Sequence, residues 1–443
     1  MRKYFIHTMG CQMNEYDSQR IASILEKMGF VPAETMEEGD YLLVNTCSVR
    51  EKPQHKADSA IGRFKQIKKK RPEVKVGFCG CVAQQDGEKI LKNSKFIDFV
   101  VGTDGLDRLE EVIACVENGR RLCDTQVNDG ELTIGSFRRN VSVSSFVTIM
   151  KGCDNFCSYC IVPYVRGREK SRTPEEILTE VRYLADNGAR EVTLLGQNVN
   201  SYGKGLDEKI SFPELINEVS GLDSIKRVRF VTSHPKDFSD ELIDIMQNNE
   251  KVCEYLHLPL QAGSDRILKA MNRKYTYGHY RDMVMRAKER IPNLALSSDF
   301  IVGFPGETDE DFECTLNALR EIEYDTIFAF AYSVRPGTGA EKLVDDVPEQ
   351  TKKMRLAKVL DLQKEIITRR SKEYEKTVVE VMVEGRGKKD ENQFSGRNRQ
   401  NKVVNFSSEK ELNIGDFAKV YITQARPNSL YGKALEEDSD VRG

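Results

Sequence analysis

The sequence predicts an α/β chain in three parts: an N-terminal open parallel sheet, a central partial six-fold β/α barrel, and a small C-terminal all-β barrel. Three observations carry this. Strand-like and helix-like segments alternate as far as about residue 135, the alternation recurs six times between about 140 and 345, and beyond residue 377 apolar residues alternate with period two. We place the domains at 1–135, 139–370 (with a connecting helix) and 372–437.

In the first part, KYFIHT is strand-like and leads to Cys11, and EYDSQRIASILEKMG then has helical spacing. DYLLVNT leads to Cys47, followed by the helical HKADSAIGRFKQIKKKR. EVKVGF leads to Cys79 and Cys81, followed by QQDGEKILKN, and FIDFVVG is a fourth strand. A βαβ series gives a parallel sheet, and sites in open parallel sheets lie beyond the carboxyl ends of the strands. All these cysteine positions fall there, so they are expected to converge on one sheet edge.

In the central part the strands are SFVTIM, EVTLLG, RVRFVTS, EYLHLPL, LALSSDFIVG and DTIFAFAY. Six such units make an incomplete relative of the eight-fold barrel, whose working face is at the strand C-termini. Gln197, Asn198, Ser233, His234, Gln261, Asp299 and Arg335 cluster there. SRTPEEI starts the first helix, with Thr173 as N-cap, Pro174 at N1 and Glu176 at N3. Residues 351–375 read as an amphipathic helix with Leu356, Val359, Leu360, Ile366 and Ile367 on its apolar side. TVVEVMVEG and DFAKVYIT alternate, so 377–435 is a small all-β unit.

Composition narrows the function classes. The 443 residues carry 67 basic and 70 acidic side chains, a net charge of −3, so any nucleic-acid surface must be local. No apolar run approaches a membrane span, and MRKYFIHTMGC has no signal-peptide apolar region. A soluble cytoplasmic protein with no membrane partner is expected. Its eleven cysteines are then not disulfides. Cys115, Cys123, Cys253 and Cys314 are scattered and read as small buried hydrophobes, whereas the other seven follow apolar runs closely.

Three of those seven, Cys153, Cys157 and Cys160, lie within KGCDNFCSYCIVPYVRGREKSR as C-x₃-C-x₂-C. Two readings are open. Structural zinc wants four closed ligands, and the next histidine is His234. Three thiolates instead fit a [4Fe-4S] cluster with one iron free for a substrate or cofactor, although four ligands are usual.

The spacing, with Tyr159 as the aromatic of C-x-Φ-C at the end of the first barrel strand, resembles the radical S-adenosylmethionine (SAM) enzymes. There the open iron chelates the amino and carboxylate groups of SAM, so the resemblance implies that the missing ligand is the cofactor. TMGCQMNEYDS, VNTCSVRE, GCVAQ, LGQNVNSYG, TSHP, LHLPLQAGSDRILKAMNRKY and DFIVGFPGETDEDF narrow the match. In order, and over nearly the whole chain, they are similar to the radical SAM methylthiotransferases, MiaB type, which modify tRNA. The tail resembles their TRAM domain, an RNA-binding barrel. The ribosomal-protein branch usually reads GCPKN in the first motif and the threonylcarbamoyladenosine branch GCKVN. GCQMN, from Gly10 to Asn14, points to N6-isopentenyladenosine. Met9 and Ser298 depart from the usual aromatic and threonine.

The resemblance implies a second, auxiliary [4Fe-4S] cluster on the N-terminal domain, holding the sulfur to be inserted. Its ligands would be Cys11, Cys47 and Cys81; Cys79 competes for the third place, with packing as its plainer role. Tyr159, Gln197, Ser233, Gln261, Asp299 and Gly303 are expected beside SAM. The run 386–402 carries six bases and two acids, and Arg397, Arg399 and Lys402 are expected on RNA phosphates, with Phe394 and Phe406 nearby for stacking. Arg166, Arg168, Lys170 and Arg172 either guide RNA to the site or are surface charge. The implied reaction replaces C2–H of N6-isopentenyladenosine, in the tRNA anticodon stem-loop, with S–CH₃ by a radical route that uses two SAM molecules. The implied partners are that tRNA, an electron donor such as flavodoxin or ferredoxin, and an iron–sulfur or sulfur supply protein. The alternatives are the other two branches, or a non-catalytic iron–sulfur or zinc RNA-binding protein. The last does not account for six strand–helix repeats or for DFIVGFPGE.

Overall fold

The computed structural model describes residues 1–48, 51–128, 130, 141–387 and 393–436, with the backbone alone for 51–58. The boundaries placed at 135, 139 and 437, and Lys388 and Lys389 of the basic run, lie outside the described residues.

The N-terminal sheet is parallel throughout, in the order Val31–Pro32, Lys3–Thr8, Tyr41–Thr46, Lys75–Gly80, Phe99–Val101, Leu122–Asp124. The two edge strands were not expected. At two and three residues they are too short to show a period, and Pro32 is tolerable only on an edge. Tyr41–Thr46, the central strand, is buried along its whole length, as a parallel strand covered on both faces must be. Apolar cores lie on both sides, one around Ile21, Leu43 and Phe99, the other around Val44, Phe64 and Phe78. Two helices begin earlier than their apolar spacing indicates. Gln12–Lys27 has Cys11 as its N-cap, three residues past the strand Lys3–Thr8, and the third helix, Cys81–Asn93, starts directly after Lys75–Gly80.

The central part has six parallel strands in two groups of three. One group is Arg227–Phe230, Glu191–Leu195, Ser144–Thr148; the other is Tyr255–His257, Ala295–Val302, Thr326–Ala331. A parallel bridge from Val228 to Val252 joins them, so the expected incomplete barrel forms with a weak seam at its middle. Its core lies between strands and outer helices, with Val192, Leu194, Val228 and Phe230 on the helix side. By strand alternation Glu191, Thr193, Arg227 and Arg229 face the other way, into the open half-barrel. Thr173 caps Pro174–Asp186 as expected, its side chain accepting the Glu176 N–H at 3.3 Å.

The connecting helix spans Glu349–Lys372, and its buried face differs from the expected one. Lys352, Arg355, Val359, Gln363 and Ile366 are buried, at three- and four-residue steps, while Leu360 is exposed. The polar members find partners inside: Gln363 donates to the Tyr324 carbonyl at 2.8 Å, and Arg355 pairs with buried Glu307 at 2.7 Å. Periodicity counts only apolar residues, so it rotated the stripe toward Leu360.

The C-terminal part is a closed five-stranded barrel in the order Val378–Arg386, Phe394–Asn398, Val403–Ser407, Ser429–Ala434, Phe417–Arg426. Phe394 and Phe406 stack on each other inside it, with centroids 5.8 Å apart, and belong to its core. They are therefore not the base-stacking surface that their position in the sequence offered.

Candidate active site

The loop after Ser144–Thr148 carries Cys153, Cys157 and Cys160. Gly152 enters it at φ 79°, and a Cβ there would lie 2.0 Å from the Arg168 carbonyl oxygen, so only glycine fits. The Cys153 N–H donates to the Gly167 carbonyl at 3.3 Å and the Cys160 N–H to that of Cys157 at 2.9 Å. Arg273, buried behind the loop, donates to Cys157 Sγ at 3.4 Å, to Tyr275 Oη at 2.6 Å and to the Pro259 carbonyl at 2.7 Å. Burial pushes the Cys153 thiol up to about 11 and the Cys160 thiol up to about 12. Binding iron there must therefore release protons. Tyr159 packs against the barrel core beside this loop.

The N-terminal cysteines meet at the sheet edge. Cys11 caps one helix, Cys81 opens another and Cys47 follows the strand between them. Helix N-termini favour thiolates. A hydrogen bond with Cys47, helped by the Arg166 charge and opposed by burial, lowers the Cys11 thiol to about 6. The approach is close: a Cβ on Gly10 would lie 2.5 Å from that of Cys47. Buried Asn14 and Asn45 tie the strand ends together, the Asn14 side chain donating to Asn45 Oδ1 at 3.1 Å and to the Thr46 carbonyl at 2.9 Å. Cys79 pairs with Asn45 inside the sheet and belongs to the core around Leu43 and Phe99. Burial pushes its thiol up to about 12. Cys81 instead packs on Ile161 and Val165 and hydrogen-bonds with Arg166.

One short segment thus links the triads. Cys160 precedes the helix Val162–Val165 and Arg166 follows it. Arg166, buried, pairs with buried Asp17 at 2.7 Å, and Thr103 Oγ1 donates to the Val165 carbonyl at 2.6 Å. Arg172 pairs with Glu180 at 2.6 Å, and Tyr16 donates to the same carboxylate at 3.3 Å. Arg166 and Arg172 are therefore interior, not surface charge. Neither Arg166, Asp17, Asn14 nor Arg273 was singled out as holding a triad; a charged residue inside an apolar stretch, as in IVPYVRG, is the only local signal.

At the strand C-termini lies a group of buried polar side chains. Gln197 Oε1 accepts the Gly152 N–H at 2.5 Å, and among the described residues its Nε2, Ser233 Oγ, His234 Nε2 and Asn198 Oδ1 are buried without partners. Buried polar atoms are costly unless satisfied, so these fit a polar ligand. His234 Nδ1 accepts the Lys236 N–H at 3.1 Å, and burial, with the Arg273 charge, lowers its imidazole to about 2, so it is neutral. Asp299 lies 3.6 Å from His257 Nε2, and Gln261, at φ 77°, is held by backbone bonds to Asp299 and Ile301. Gly303 follows the strand Ala295–Val302. Its N–H donates to Glu307 at 2.6 Å, and a Cβ would meet Lys352 Cγ at 2.3 Å. It admits the connecting helix, and its backbone donor is already engaged.

Two of the three expected phosphate contacts are also engaged elsewhere. Arg399 donates to the Glu254 carboxylate at 2.6–2.9 Å and to the Glu250 and Val252 carbonyls, both at 2.7 Å. Lys402 is turned inward between Tyr374, Ser371 and Asp325. In return Arg227 and Arg229 reach the carbonyls of Arg397, Asn398 and Arg399 at 2.7–2.9 Å. The turn at 398–402 is a plug that seats the small barrel on the half-barrel. Arg397, 40% exposed at its side chain, keeps a solvent face beside Glu384. Replacing Arg399 with alanine is expected to leave Glu254 unpaired and to cost about 2 kcal/mol in denaturant unfolding; a wild-type midpoint would show that the clamp carries no load.

The chain matches the radical SAM superfamily over 147–319, the uncharacterized protein family UPF0004 over 3–102 and the TRAM domain over 372–435. It is 44% identical over 440 residues to the tRNA-2-methylthio-N(6)-dimethylallyladenosine synthase of Natranaerobius thermophilus, covering 98% of this chain and 97% of that one. The synthase of Carboxydothermus hydrogenoformans is 45% identical over 435 residues, with 97% and 99% covered. The chain belongs to this synthase family. The radical SAM methyltransferase TsrM of Kitasatospora setae has the same fold over 76% of this chain and 77% of its own, at a TM-score of 0.57 and 15% identity. The radical SAM and UPF0004 domains of the synthase family imply SAM and two [4Fe-4S] clusters. The residues present fit them. Each triad offers three soft thiols at strand ends, with arginines to offset their charge, and unsatisfied polar atoms border the second triad. No three His, Cys, Asp or Glu side chains among the described residues converge on a single ion, which a cluster spread over four irons does not require. No described helix is long and apolar enough to cross a membrane.

Proposed function

We propose that this enzyme converts N6-isopentenyladenosine (the dimethylallyladenosine of its relatives' name) beside the tRNA anticodon to its 2-methylthio form. One observation carries the residue assignment: the segment 161–166 begins at one cysteine triad and ends, at Arg166, on the other. A base bound beside this segment would have both triads within reach. Adenine C2–H is neither acidic nor electrophilic, so general acid–base groups cannot activate it. Bound to the chain, SAM and the clusters supply the one-electron chemistry, the sulfur and the methyl group.

The chain's own part is positioning. We read Cys153, Cys157 and Cys160 as ligands of the SAM cluster, with Arg273 fixing Cys157 from behind. Cys11, Cys47 and Cys81 are read as ligands of the auxiliary cluster, with Arg166 beside them. Tyr159, Gln197, Ser233, Gln261 and Asp299 border the SAM pocket; the neutral His234 adds a donor at Nε2. Ile161 and Val165, buried against Cys81, make this segment apolar between the triads. The adenosine leaves the anticodon-loop stack to enter, as base-modifying enzymes require. The division at 1–135, 139–370 and 372–437 assigns auxiliary cluster, radical chemistry and RNA grip in turn. A cytoplasmic location, a flavodoxin- or ferredoxin-like electron donor and a sulfur supply protein complete the reading.

Mass spectrometry of tRNA nucleosides from a strain lacking the protein is expected to show N6-isopentenyladenosine without its 2-methylthio form. An unchanged nucleoside profile would refute the reading. For the third auxiliary ligand, Cys81→Ala is expected to lose that cluster's iron and Cys79→Ala to keep it, read by iron and sulfide analysis of reconstituted protein. The reverse would transfer the role to Cys79.

A further inference from the structure

Between Cys153 and Cys157 stands Phe156, an aromatic residue with its backbone in the left-handed region, φ 46°, and its side chain 37% exposed. A bulky residue in that region is strained and persists only where its surroundings enforce it. Here they do: Asn272, itself at φ 58°, donates its side-chain amide to the Phe156 carbonyl at 2.8 Å. Tyr164, half exposed, meets Phe156 edge-on, with centroids 6.3 Å apart and planes at 86°. The Arg168 guanidinium lies over the Phe156 ring, 5.3 Å from its centroid, on a largely exposed side chain. Neither ring enters an apolar core among the described residues.

Single exposed apolar side chains are ordinary. These two are paired, one is strained, and both adjoin the thiols read as cluster ligands. Aromatic faces with an arginine are how proteins hold unstacked bases, because every base has a π-face. The geometry points to a stacking platform: Phe156, Tyr164 and Arg168 hold a nucleobase of the anticodon loop next to the modified adenosine. This keeps the loop splayed while the adenosine occupies the site. The inference rests on the tRNA reading above. An acidic protein partner is the poorer fit, because Arg168 is already paired with Asp154 at 2.7 Å and the exposed surface that remains is aromatic, chiefly the half-exposed Tyr164 ring and the part of Phe156 that Arg168 leaves open.

The test titrates full-length reconstituted enzyme with anticodon stem-loop RNA carrying N6-isopentenyladenosine, over a series of salt concentrations. Tyr164→Ala is expected to raise Kd about tenfold with an unchanged salt slope, and Tyr164→Phe to bind as the wild type does, because the ring is what stacks. Phe156→Leu is expected to weaken binding in the same way. Abasic substitution along the loop should find one position that costs the wild type affinity but costs Tyr164→Ala nothing. Iron content and melting temperature confirm that each variant is folded. Variants that bind RNA as tightly as the wild type at equal salt overturn the platform. Slower reduction by flavodoxin, with RNA binding intact, overturns it in favour of a protein-docking surface. A wild-type chain that binds no such RNA refutes the tRNA reading itself.

Discussion

Changing Cys153, Cys157 and Cys160 together to alanine is expected to halve the iron bound by anaerobically reconstituted enzyme and to abolish SAM cleavage. Changing Cys11, Cys47 and Cys81 is also expected to halve the iron and to end thiomethylation, but to spare part of the SAM cleavage. The asymmetry follows from where the triads sit. The barrel triad borders the group of unsatisfied polar atoms around Gln197, Ser233 and His234, and loses its ligand set when the thiols go. The N-terminal triad belongs to a separate sheet with its own cores, so its loss leaves the barrel loop and Arg273 in place. Iron analysis, a deoxyadenosine assay and nucleoside mass spectrometry together read the three outcomes. Equal loss of SAM cleavage in both triple variants would refute this division of labour.

Replacing Arg166 with methionine is expected to destabilise the enzyme by roughly 3–5 kcal/mol, because it leaves a buried carboxylate without its partner. Arg166 and Asp17 pair at 2.7 Å with side chains only 4% and 10% exposed, and they join the N-terminal helix to the segment between the triads. Pairing Asp17→Leu with Arg166→Met is expected to recover much of that stability, since the uncompensated charge is gone. It is not expected to recover the auxiliary cluster. Arg166 hydrogen-bonds Cys81 and lends its charge to Cys11, and no apolar side chain can replace that. Denaturant unfolding against iron content separates the two roles: a stable double variant with both clusters would make Arg166 structural only.

The elements legible in the sequence are those whose cause is local. Strand–helix alternation is a repeating pattern of apolar residues within some twenty residues, and it is enough to give the parallel sheet and the six-unit barrel. The chain also turns from strand to helix at Cys11 and Cys81, which the pattern placed at strand ends though not at helix starts. The three-thiol loop is contiguous, so spacing alone narrowed it to a zinc or an iron–sulfur site, and the neighbouring motifs chose between them.

Side-chain destinations were not local. Arg399 and Lys402 look like solvent-facing bases, yet partners near residues 250 and 325 claim them. Phe394 and Phe406 look like a stacking pair and are one, but with each other, because a closed five-stranded barrel must fill its interior. Gly303 reads as part of a cofactor loop, whereas close approach of Lys352, 49 residues on, is what excludes a side chain there. Motif and period are properties of neighbours along the chain. Which face a cation or ring turns to solvent depends on contacts between residues up to about 170 apart, as between Arg227 and the turn at Arg397, and only packing of the whole chain chooses it.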